Sequence, residues 1–264
     1  SFKILDAPDP PLVIVNNLIG NKNNKSGFID RFFENIEKLE INNSDIVLVP
    51  SQFTYNAFIN YGVEPKKIVY QPLFSNYEAK DCYKLKNQDK IIFGFFGGNI
   101  KRKGLDILLD QWVECEVKNY YLWIKTSNTE LKKYPSIHRK IKKLNNVKIF
   151  TDYIETLEDF YSSIDLMIHP AISDGYGMTN LQAMMHGIPC AVSTHTGFSD
   201  FINNSNGFKF NPKSEKWLEN LLKNISKEKF ETLNKNIMAN IDILKKIKLQ
   251  QRETLIHAYK RNIK

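Results

Sequence analysis

A carboxylate and an amide stand eight positions apart around two glycines in SDGYGMTNLQAMMHGIP, which begins at Ser173. Asp174 precedes Gly175 and Gly177, and Gln182 follows them inside a run whose apolar residues recur at helical spacing. Glycine tolerates positive φ angles and lets a ligand approach the backbone closely. Free N–H groups at the start of the predicted helix would face an anion such as phosphate, with polar side chains on either side to hold hydroxyl groups. A tight turn without a ligand is the alternative interpretation.

A second pair of glycines follows an apolar run in FGFFGGNIKRKG, which ends at Gly104. Gly97 and Gly98 end the apolar run, and a cluster of three basic residues that includes Arg102 and Lys103 comes next. Each charge-assisted hydrogen bond from such a cluster to a phosphate contributes about 1.5–3 kcal/mol. A solvated basic loop is the alternative, but two glycine loops at the ends of two strands of one sheet favour a ligand site.

The elements that would position both loops alternate between short β-rich runs and amphipathic helices. Several runs (IVLV, IIFGFF and LMI) are continuously apolar, which is typical of parallel strands covered on both faces. The predicted strands are Leu12–Val15, Ile46–Val49, Lys67–Tyr70, Ile91–Phe96, Tyr120–Lys125, Val147–Phe150, Asp165–Ile168, Cys190–Ser193 and Gly207–Phe210. The predicted helices include Phe28–Leu39, Leu105–Val113, Ser136–Leu144 and Leu157–Ser163. This alternation predicts α/β units with right-handed crossovers and puts both glycine loops at carboxyl ends of strands, where open α/β sheets bind ligands.

The alternation is interrupted once, and the interruption suggests how the chain divides into domains. Residues 75–90 are polar and charged and predict a linker. Residues 91–225 contain six predicted strands with intervening helices, enough for one complete Rossmann-like domain. Residues 1–74 contain fewer strands and predict a short or incomplete N-terminal α/β domain, while residues 226–264 predict C-terminal helices.

Composition and charge limit the class of protein. The chain has 264 residues, a formal net charge of +8 and three widely spaced cysteines, which predict reduced thiols in a cytoplasmic protein. It contains neither an apolar run of transmembrane length nor the pattern of a signal peptide. The positive charge favours an anionic partner, and because no nucleic-acid recognition motif is present, nucleotide phosphates are preferred over nucleic acid. Contact of the basic terminal helices with the cytoplasmic membrane face is an alternative to a solvated helix surface.

The order and spacing of these motifs resemble a known family. Residues 150–202 are similar to the donor-binding core of retaining GT-B glycosyltransferases of glycosyltransferase family 4, in which a Glu, a Gly-Phe-Gly loop and a second Glu precede Ala-Met and Gly-x-Pro. Here Asp174 and Gln182 stand at the two acidic positions, and the loop ending at Lys103 resembles the family's phosphate-binding loop. Residues 44–74 resemble the end of the family's N-terminal domain. The resemblance implies an α/β GT-B fold with two Rossmann-like domains, the N-terminal one short or incomplete.

The resemblance also implies roles for individual residues. Asp174 and Lys103 would be the catalytic pair: Asp174 would hold hydroxyl groups of the transferred sugar, and Lys103 would neutralise the leaving diphosphate. Gln182 would hold the nucleotide ribose. The amides expected at the distal phosphate are those of Gly177, Met178 and Thr179. The other expected donor-binding residues are Gly97, Gly98, Arg102, Gly175, Tyr176 and Tyr153. Tyr153 follows a predicted strand, which suggests a place beside the nucleobase, with a place in the core or at the rim as the alternative.

The function implied is transfer of a sugar, with retention, from a nucleotide-diphosphate sugar to an acceptor hydroxyl group on a glycan, a lipid-linked molecule or a small molecule. The resemblance implies that no metal or other cofactor is required, because lysine and the helix dipole take up the phosphate charge. Departures from the family pattern leave an alternative open. Asp174 is one methylene shorter than Glu, Gln182 has one acceptor oxygen instead of two, and the N-terminal region is short. The alternative is a catalytically degenerate nucleotide-sugar-binding module or a partner subunit of a transferase.

Overall fold

The computed structural model describes most of the chain. The described residues are 2–19, 28–73, 75, 79–81, 90–115, 119–151, 157–242, 253, 256 and 260. Tyr153, most of the predicted linker 75–90 and most positions beyond 242 lie outside the described residues, so the proposed domain boundaries remain predictions. Among the described helices, none is both long enough and apolar enough to cross a membrane.

The N-terminal part forms a three-stranded parallel sheet in the order β1-β2-β3. Its strands are β1 (Ile4–Asp6), β2 (Ile46–Val49) and β3 (Ile68–Tyr70), and its helices are α1 (Leu12–Leu18), α2 (Phe28–Asn43) and α3 (Gln52–Tyr61). The central strand β2 is buried along its whole length, as the apolar run IVLV predicts. A small core that includes Val47, Val49 and Phe58 fills the space between sheet and helices.

The predicted strand Leu12–Val15 is wrong, because these residues begin helix α1. Their β-branched side chains favour a strand, but distant contacts override that preference. The amide N–H of Leu12, at the helix start, donates to the Glu37 carboxylate of helix α2 at 2.9 Å. The edge of the sheet is instead occupied by β1, which is not among the predicted strands.

The larger sheet has six parallel strands in the order β6-β5-β4-β7-β8-β9. The strands are β4 (Ile91–Phe96), β5 (Tyr120–Lys125), β6 (Val147–Phe150), β7 (Leu166–His169), β8 (Cys190–Ser193) and β9 (Gly207–Phe210). Five of these have the predicted bounds, and β7 is shifted by one residue from Asp165–Ile168. The direction of winding reverses between β4 and β7, so these two neighbours form the topological switch point of a Rossmann-like sheet.

Helices cover both faces of this sheet. They are α4 (Leu105–Glu114), α5 (Asn128–Lys133), α6 (Pro135–Lys142), α7 (Leu157–Tyr161), α8 (Met178–Met185), α9 (Trp217–Leu222) and α10 (Lys227–Ala239). One face packs a core around Phe93, Leu109 and Trp112, and the other packs a core around Met167 and Leu181. Burial on both faces explains the continuous apolar runs in the strands.

Candidate functional site

The two glycine loops lie side by side at the carboxyl edge of the larger sheet. Strands β4 and β7 are parallel neighbours, and each is followed by one loop. The loops are joined by a hydrogen bond from the Ile172 N–H to the Arg102 carbonyl at 2.9 Å. Gly104 allows the loops to meet, because it has φ 73° and a side chain there would lie 2.0 Å from the Pro170 carbonyl oxygen. The prediction that both loops share one sheet edge is confirmed.

Asp174 is the centre of the polar contacts at this edge. Its Oδ2 accepts a hydrogen bond from Lys103 Nζ at 2.8 Å and lies 3.0 Å from His169 Nε2. Its Oδ1 is 3.3 Å from the Tyr176 N–H, which donates to it. The side chains of Lys103 and Asp174 are only 15% and 10% exposed, so this ion pair is largely removed from water. The two residues predicted to be catalytic are therefore in direct contact.

The protonation state of this cluster follows from its surroundings. Burial by itself would raise the pKa of Asp174, but the hydrogen bond from His169 and the Lys103 charge outweigh it and hold the pKa well below its usual range. Burial is also the main influence on His169, and it lowers the pKa of that imidazole. At neutral pH Asp174 is therefore a carboxylate, and the His169 imidazole is neutral.

The backbone of Asp174 is fixed by the loop that follows β8. The Asp174 N–H donates to the His195 carbonyl at 3.1 Å, and the Gly197 N–H donates to the Asp174 carbonyl at 2.9 Å. A parallel bridge joins Asp174 to Thr196. Hydrogen bonds on both sides of Asp174 thus fix the position from which its carboxylate projects.

The start of helix α8 has the features of an anion site. Its N-cap is Gly177 with φ 86°, and no side chain caps the helix. The N–H groups of Met178 and Thr179 belong to the first turn, where no intrahelical acceptor exists. A side chain at position 177 would lie 2.7 Å from Asn180 Nδ2, so glycine is required there.

Several buried polar atoms around this helix start have no hydrogen-bond partner among the described residues. They are His169 Nδ1, Ser173 Oγ, Thr179 Oγ1, Asn180 Oδ1, Asn180 Nδ2 and Thr196 Oγ1. A buried polar group without a partner generally costs about 1–3 kcal/mol. Their concentration at one sheet edge indicates that a polar ligand or water belongs there.

Gln182 lies one turn into helix α8, beside Tyr161. The Tyr161 hydroxyl is 3.1 Å from both the Gln182 side-chain oxygen and the Thr179 carbonyl oxygen. A phenol has one hydrogen and cannot donate fully to two carbonyl groups. The reversed orientation of the Gln182 amide would let its nitrogen donate to the phenol oxygen, so that the phenol hydrogen serves the Thr179 carbonyl.

Two predicted binding residues make contacts within the protein. Arg102 Nη1 donates to Asp9 Oδ1 at 2.9 Å and to the Ser173 carbonyl at 3.1 Å, so its charge is already paired. Tyr176 is 2% exposed and packs edge-on against Phe198, so its ring is part of the core. Burial raises the pKa of the Tyr176 hydroxyl.

The remaining glycines serve different purposes. At Gly175, a side chain would lie 1.8 Å from the Pro8 carbonyl oxygen, so the backbone that approaches closely is the protein's own. At Gly97, a side chain would meet the stem of Lys103 at 2.5 Å, so this glycine makes room for the lysine. The space around Gly98 is open, because a side-chain carbon at this position would have no atom of the described residues within 4 Å.

Other residues outside the predicted set also contact the site, and three of them are Ser51, Asp9 and His169. Ser51 Oγ donates to the Gly175 carbonyl at 2.7 Å, and Asp9 Oδ1 accepts from the Gly175 N–H at 3.0 Å. Both come from the N-terminal part, which therefore packs against the glycine loop. His169 is the third; its place at the end of a buried strand, just before the loop, is the sequence feature that could have identified it.

Comparison with known proteins gives a family for the larger sheet. Residues 90–227 match the family model described as "Glycosyl transferases group 1". The chain is 30% identical over 145 residues to the O-antigen biosynthesis glycosyltransferase WclY of Escherichia coli, a match that covers 52% of this chain and 40% of that protein. The chain thus spans less than half the length of this relative.

Solved structures resemble the whole fold at low sequence identity. Sucrose-phosphate synthase from Thermosynechococcus elongatus matches with a TM-score of 0.77 at 18% identity. The match covers 98% of this chain and 68% of the synthase chain. Anabaena HepE in complex with UDP-glucose matches with a TM-score of 0.69 at 20% identity. The match covers 96% of this chain and 72% of the HepE chain. These likenesses establish the predicted α/β fold class of GT-B type.

Proposed function

The chain belongs to the glycosyl transferases group 1 family, and from that membership and the geometry of the sheet edge we propose that it transfers a sugar from a nucleotide-diphosphate donor to an acceptor hydroxyl group. We further propose that the configuration at the sugar carbon is retained, as in the family 4 type of enzyme. The observation that carries the proposal is the buried Lys103–Asp174 pair beside the uncapped start of helix α8. This arrangement offers a cation and free N–H groups for phosphates, and a carboxylate for sugar hydroxyl groups.

Each part of the donor has a proposed binding group. Lys103 and the N–H groups of Gly177, Met178 and Thr179 hold the diphosphate, with the open backbone at Gly98 beside it. Asp174 accepts hydrogen bonds from hydroxyl groups of the sugar. Gln182 accepts one from a ribose hydroxyl group through its side-chain oxygen.

The proposed reaction breaks the bond between the sugar carbon and the diphosphate oxygen. The electron pair leaves with the diphosphate, whose growing negative charge Lys103 and the helix start stabilise. The acceptor oxygen bonds to the same face of the sugar carbon, and its proton passes to the departing diphosphate oxygen. Because Lys103 and the helix start supply positive charge, we expect turnover without added divalent cation.

The relatives suggest where to begin in choosing substrates. HepE is solved with UDP-glucose, and WclY is an O-antigen biosynthesis enzyme. We therefore propose a nucleotide sugar as donor and a glycan or lipid-linked glycan hydroxyl group as acceptor. UDP-glucose is the first donor to try, followed by other UDP-, GDP- and dTDP-sugars.

The test is calorimetric titration of this panel, followed by NMR detection of transfer or hydrolysis and of the product anomer. We expect saturable binding of at least one nucleotide sugar and release of the sugar with its original anomeric configuration. Asp174→Asn provides the matched variant: it frees Lys103 from the ion pair, so nucleoside diphosphate affinity should hold or rise while turnover falls at least about tenfold. Absence of binding across the panel would contradict the proposal, and an inverted product would contradict retention.

A further inference from the structure

His169 makes a contact that the proposed reaction has not yet used. It is the last residue of strand β7 and is 1% exposed. Its Nε2 lies 3.0 Å from Asp174 Oδ2, the same oxygen that accepts from Lys103. One explanation is that the histidine only packs the strand end. The other is that its hydrogen bond to Asp174 contributes to the reaction.

The acceptor capacity of Asp174 limits what the carboxylate can do. Each carboxylate oxygen has two lone-pair sites. On Oδ2, Lys103 and His169 occupy both, while on Oδ1 the Tyr176 N–H occupies one at 3.3 Å. The carboxylate therefore has a single open site for a sugar hydroxyl group as long as Lys103 stays in place.

Donor binding would change this balance. Lys103 has three N–H donors on a flexible stem, so a diphosphate at the start of helix α8 would draw it partly or wholly away from Asp174. The carboxylate would then gain an acceptor site for the sugar and lose its main counter-ion. Of the contacts described above, the His169 imidazole would remain to hold Oδ2, together with the Tyr176 N–H on Oδ1.

The imidazole suits this task only in one form. Burial, with the charges of Lys103 and Arg102, lowers its pKa, while Asp174 acts in the opposite direction. A neutral imidazole can donate to Asp174 only if the hydrogen is on Nε2, which leaves Nδ1 as an acceptor. Nδ1 is buried and has no partner among the described residues, so no second bond competes with that orientation.

We propose that His169 is a positioning residue, which holds Asp174 in place through a neutral Nε2–H when Lys103 turns to the donor diphosphate. The inference rests on the proposed function, because it assigns His169 to the same reaction. In this proposal Lys103 moves between the Asp174 carboxylate and the diphosphate of the nucleotide sugar, while the hydrogen bond from His169 to Asp174 stays in place.

Two variants separate this role from simple packing. His169→Gln keeps an N–H donor at the reach of Nε2, while His169→Leu removes it, and His138→Gln on helix α6 controls for the type of substitution. The probes are UDP and UDP-glucose, replaced by the tightest-binding pair of the panel if another binds better. We expect UDP affinity within about twofold in all variants, and kcat lowered at least about tenfold in His169→Leu but less than about threefold in His169→Gln, with KM nearly constant.

A second readout does not depend on turnover. Carbon-13 NMR can follow the titration of the Asp174 carboxylate in the UDP-saturated protein. The carboxylate should titrate at least about one pH unit higher in His169→Leu than in the unaltered chain or in His169→Gln. Nitrogen-15 NMR of the unaltered chain should find His169 neutral at pH 7 with its hydrogen on Nε2.

Each outcome decides for or against the role. Equal losses of kcat in the Gln and Leu variants, an unchanged Asp174 titration, or a hydrogen on Nδ1 would overturn the inference. If the Leu variant does not fold, the Gln variant and the nitrogen-15 spectrum still decide it. If no nucleotide of the panel binds the unaltered chain, the proposed function fails, whereas the tautomer measurement tests the His169–Asp174 contact separately.

Discussion

Replacement of Lys103 by methionine should weaken both the fold and the binding of nucleoside diphosphates. Methionine keeps most of the buried stem that packs beside Gly97, and it removes the ammonium group. The change therefore addresses the charge rather than the volume of the side chain. It leaves Asp174 buried with His169 and the Tyr176 N–H as its remaining donors.

The effect on stability can be worked from the ion-pair distance. At 2.8 Å and an effective dielectric constant of about 20, the gross attraction between the two charges is about 6 kcal/mol. Desolvation offsets much of this, and loss of one partner from a buried pair generally costs about 3–5 kcal/mol. Because two donors to Asp174 remain, we expect the free energy of unfolding to fall by about 3 kcal/mol. Combining the change with Asp174→Asn should recover part of that loss, since no unpaired charge is then buried.

The effect on binding follows from the loss of one charge-assisted hydrogen bond. That bond contributes about 1.5–3 kcal/mol, so the Kd for UDP should rise about 10- to 100-fold. Calorimetry under conditions in which the variant remains folded measures this, and denaturant unfolding measures stability. Lys101→Met is the matched control, because it removes the same charge from the same loop two residues away.

Equal UDP binding by the two variants would contradict a role for Lys103 in holding phosphate. If Lys103→Met binds UDP as tightly as Lys101→Met, the basic cluster is a solvated loop and does not hold phosphate. A stability loss below about 1 kcal/mol, the scale of an exposed pair, would mean that the Lys103–Asp174 contact does not persist in solution.

Three further predictions follow from the same contacts. Gln182→Glu should tighten nucleotide binding by about 1–2 kcal/mol, because a carboxylate offers more acceptors to the ribose, and calorimetry should find no such gain with a 2′,3′-dideoxy nucleotide. Gly175→Ala should lower the free energy of unfolding by about 2 kcal/mol or more, because the added side chain would lie 1.8 Å from the Pro8 carbonyl oxygen. Gly98→Ala is the control, and because the space there is open it should change the free energy of unfolding by no more than about 0.5 kcal/mol. Equal effects of the two substitutions in denaturant unfolding would count against the packing of residues 8 and 9 on the loop. His169 should make stability fall as the pH drops from 7 to 5, because burial lowers its pKa and the unfolded chain takes up a proton below about pH 6.5. His169→Gln should therefore remove part of the loss of stability on acidification, and an unchanged slope would argue against a buried neutral imidazole.

Asp174 contributes to a different range of pH. Its pKa is lowered in the folded chain, so its stabilising effect is present above its unfolded pKa of about 3.9 and is lost as the pH falls through the lower folded value. Asp174 therefore does not contribute to the change between pH 7 and pH 5. Burial raises the pKa of Glu37, Asp106 and Asp200, so these carboxyl groups act in the opposite direction to His169. Burial also lowers the pKa of His195. His195 therefore contributes to the change of stability between pH 7 and pH 5 in the unaltered chain and in His169→Gln alike.

The larger sheet could be predicted because its strands carry their own local pattern. A parallel strand covered on both faces must be apolar throughout, and turns or polar residues bound each run, so runs such as Cys190–Ser193 have visible ends. Leu12–Val15 is also a continuous apolar run but is helical, and the N–H of its first residue donates to Glu37 on another helix. Such a contact between distant positions leaves no local pattern in the sequence.

The candidate site shows the same limit. The glycine loops and their place at one sheet edge follow from strand order, which the alternation of elements predicts. The pairing of Lys103 with Asp174 joins residues 71 positions apart, and the approach of Pro8 to Gly175 joins the N-terminal part to the larger sheet. The spacing of these residues along the chain does not indicate that either pair is in contact. His169 is absent from the predicted site because histidines at strand ends are usually structural.

The central claim is that the start of helix α8 and Lys103 bind the donor diphosphate, and amide NMR during a titration tests it most directly. The chain is labelled with nitrogen-15 and titrated with UDP, GDP and dTDP, so the outcome does not depend on the acceptor. We expect saturable shifts concentrated at the amides of Gly98, Gly177, Met178 and Thr179, and we expect them to be lost in Lys103→Met at the same nucleotide concentration. Saturable shifts concentrated elsewhere, for example along β9 and α9, or no saturable shift with any of the three nucleotides, would contradict it.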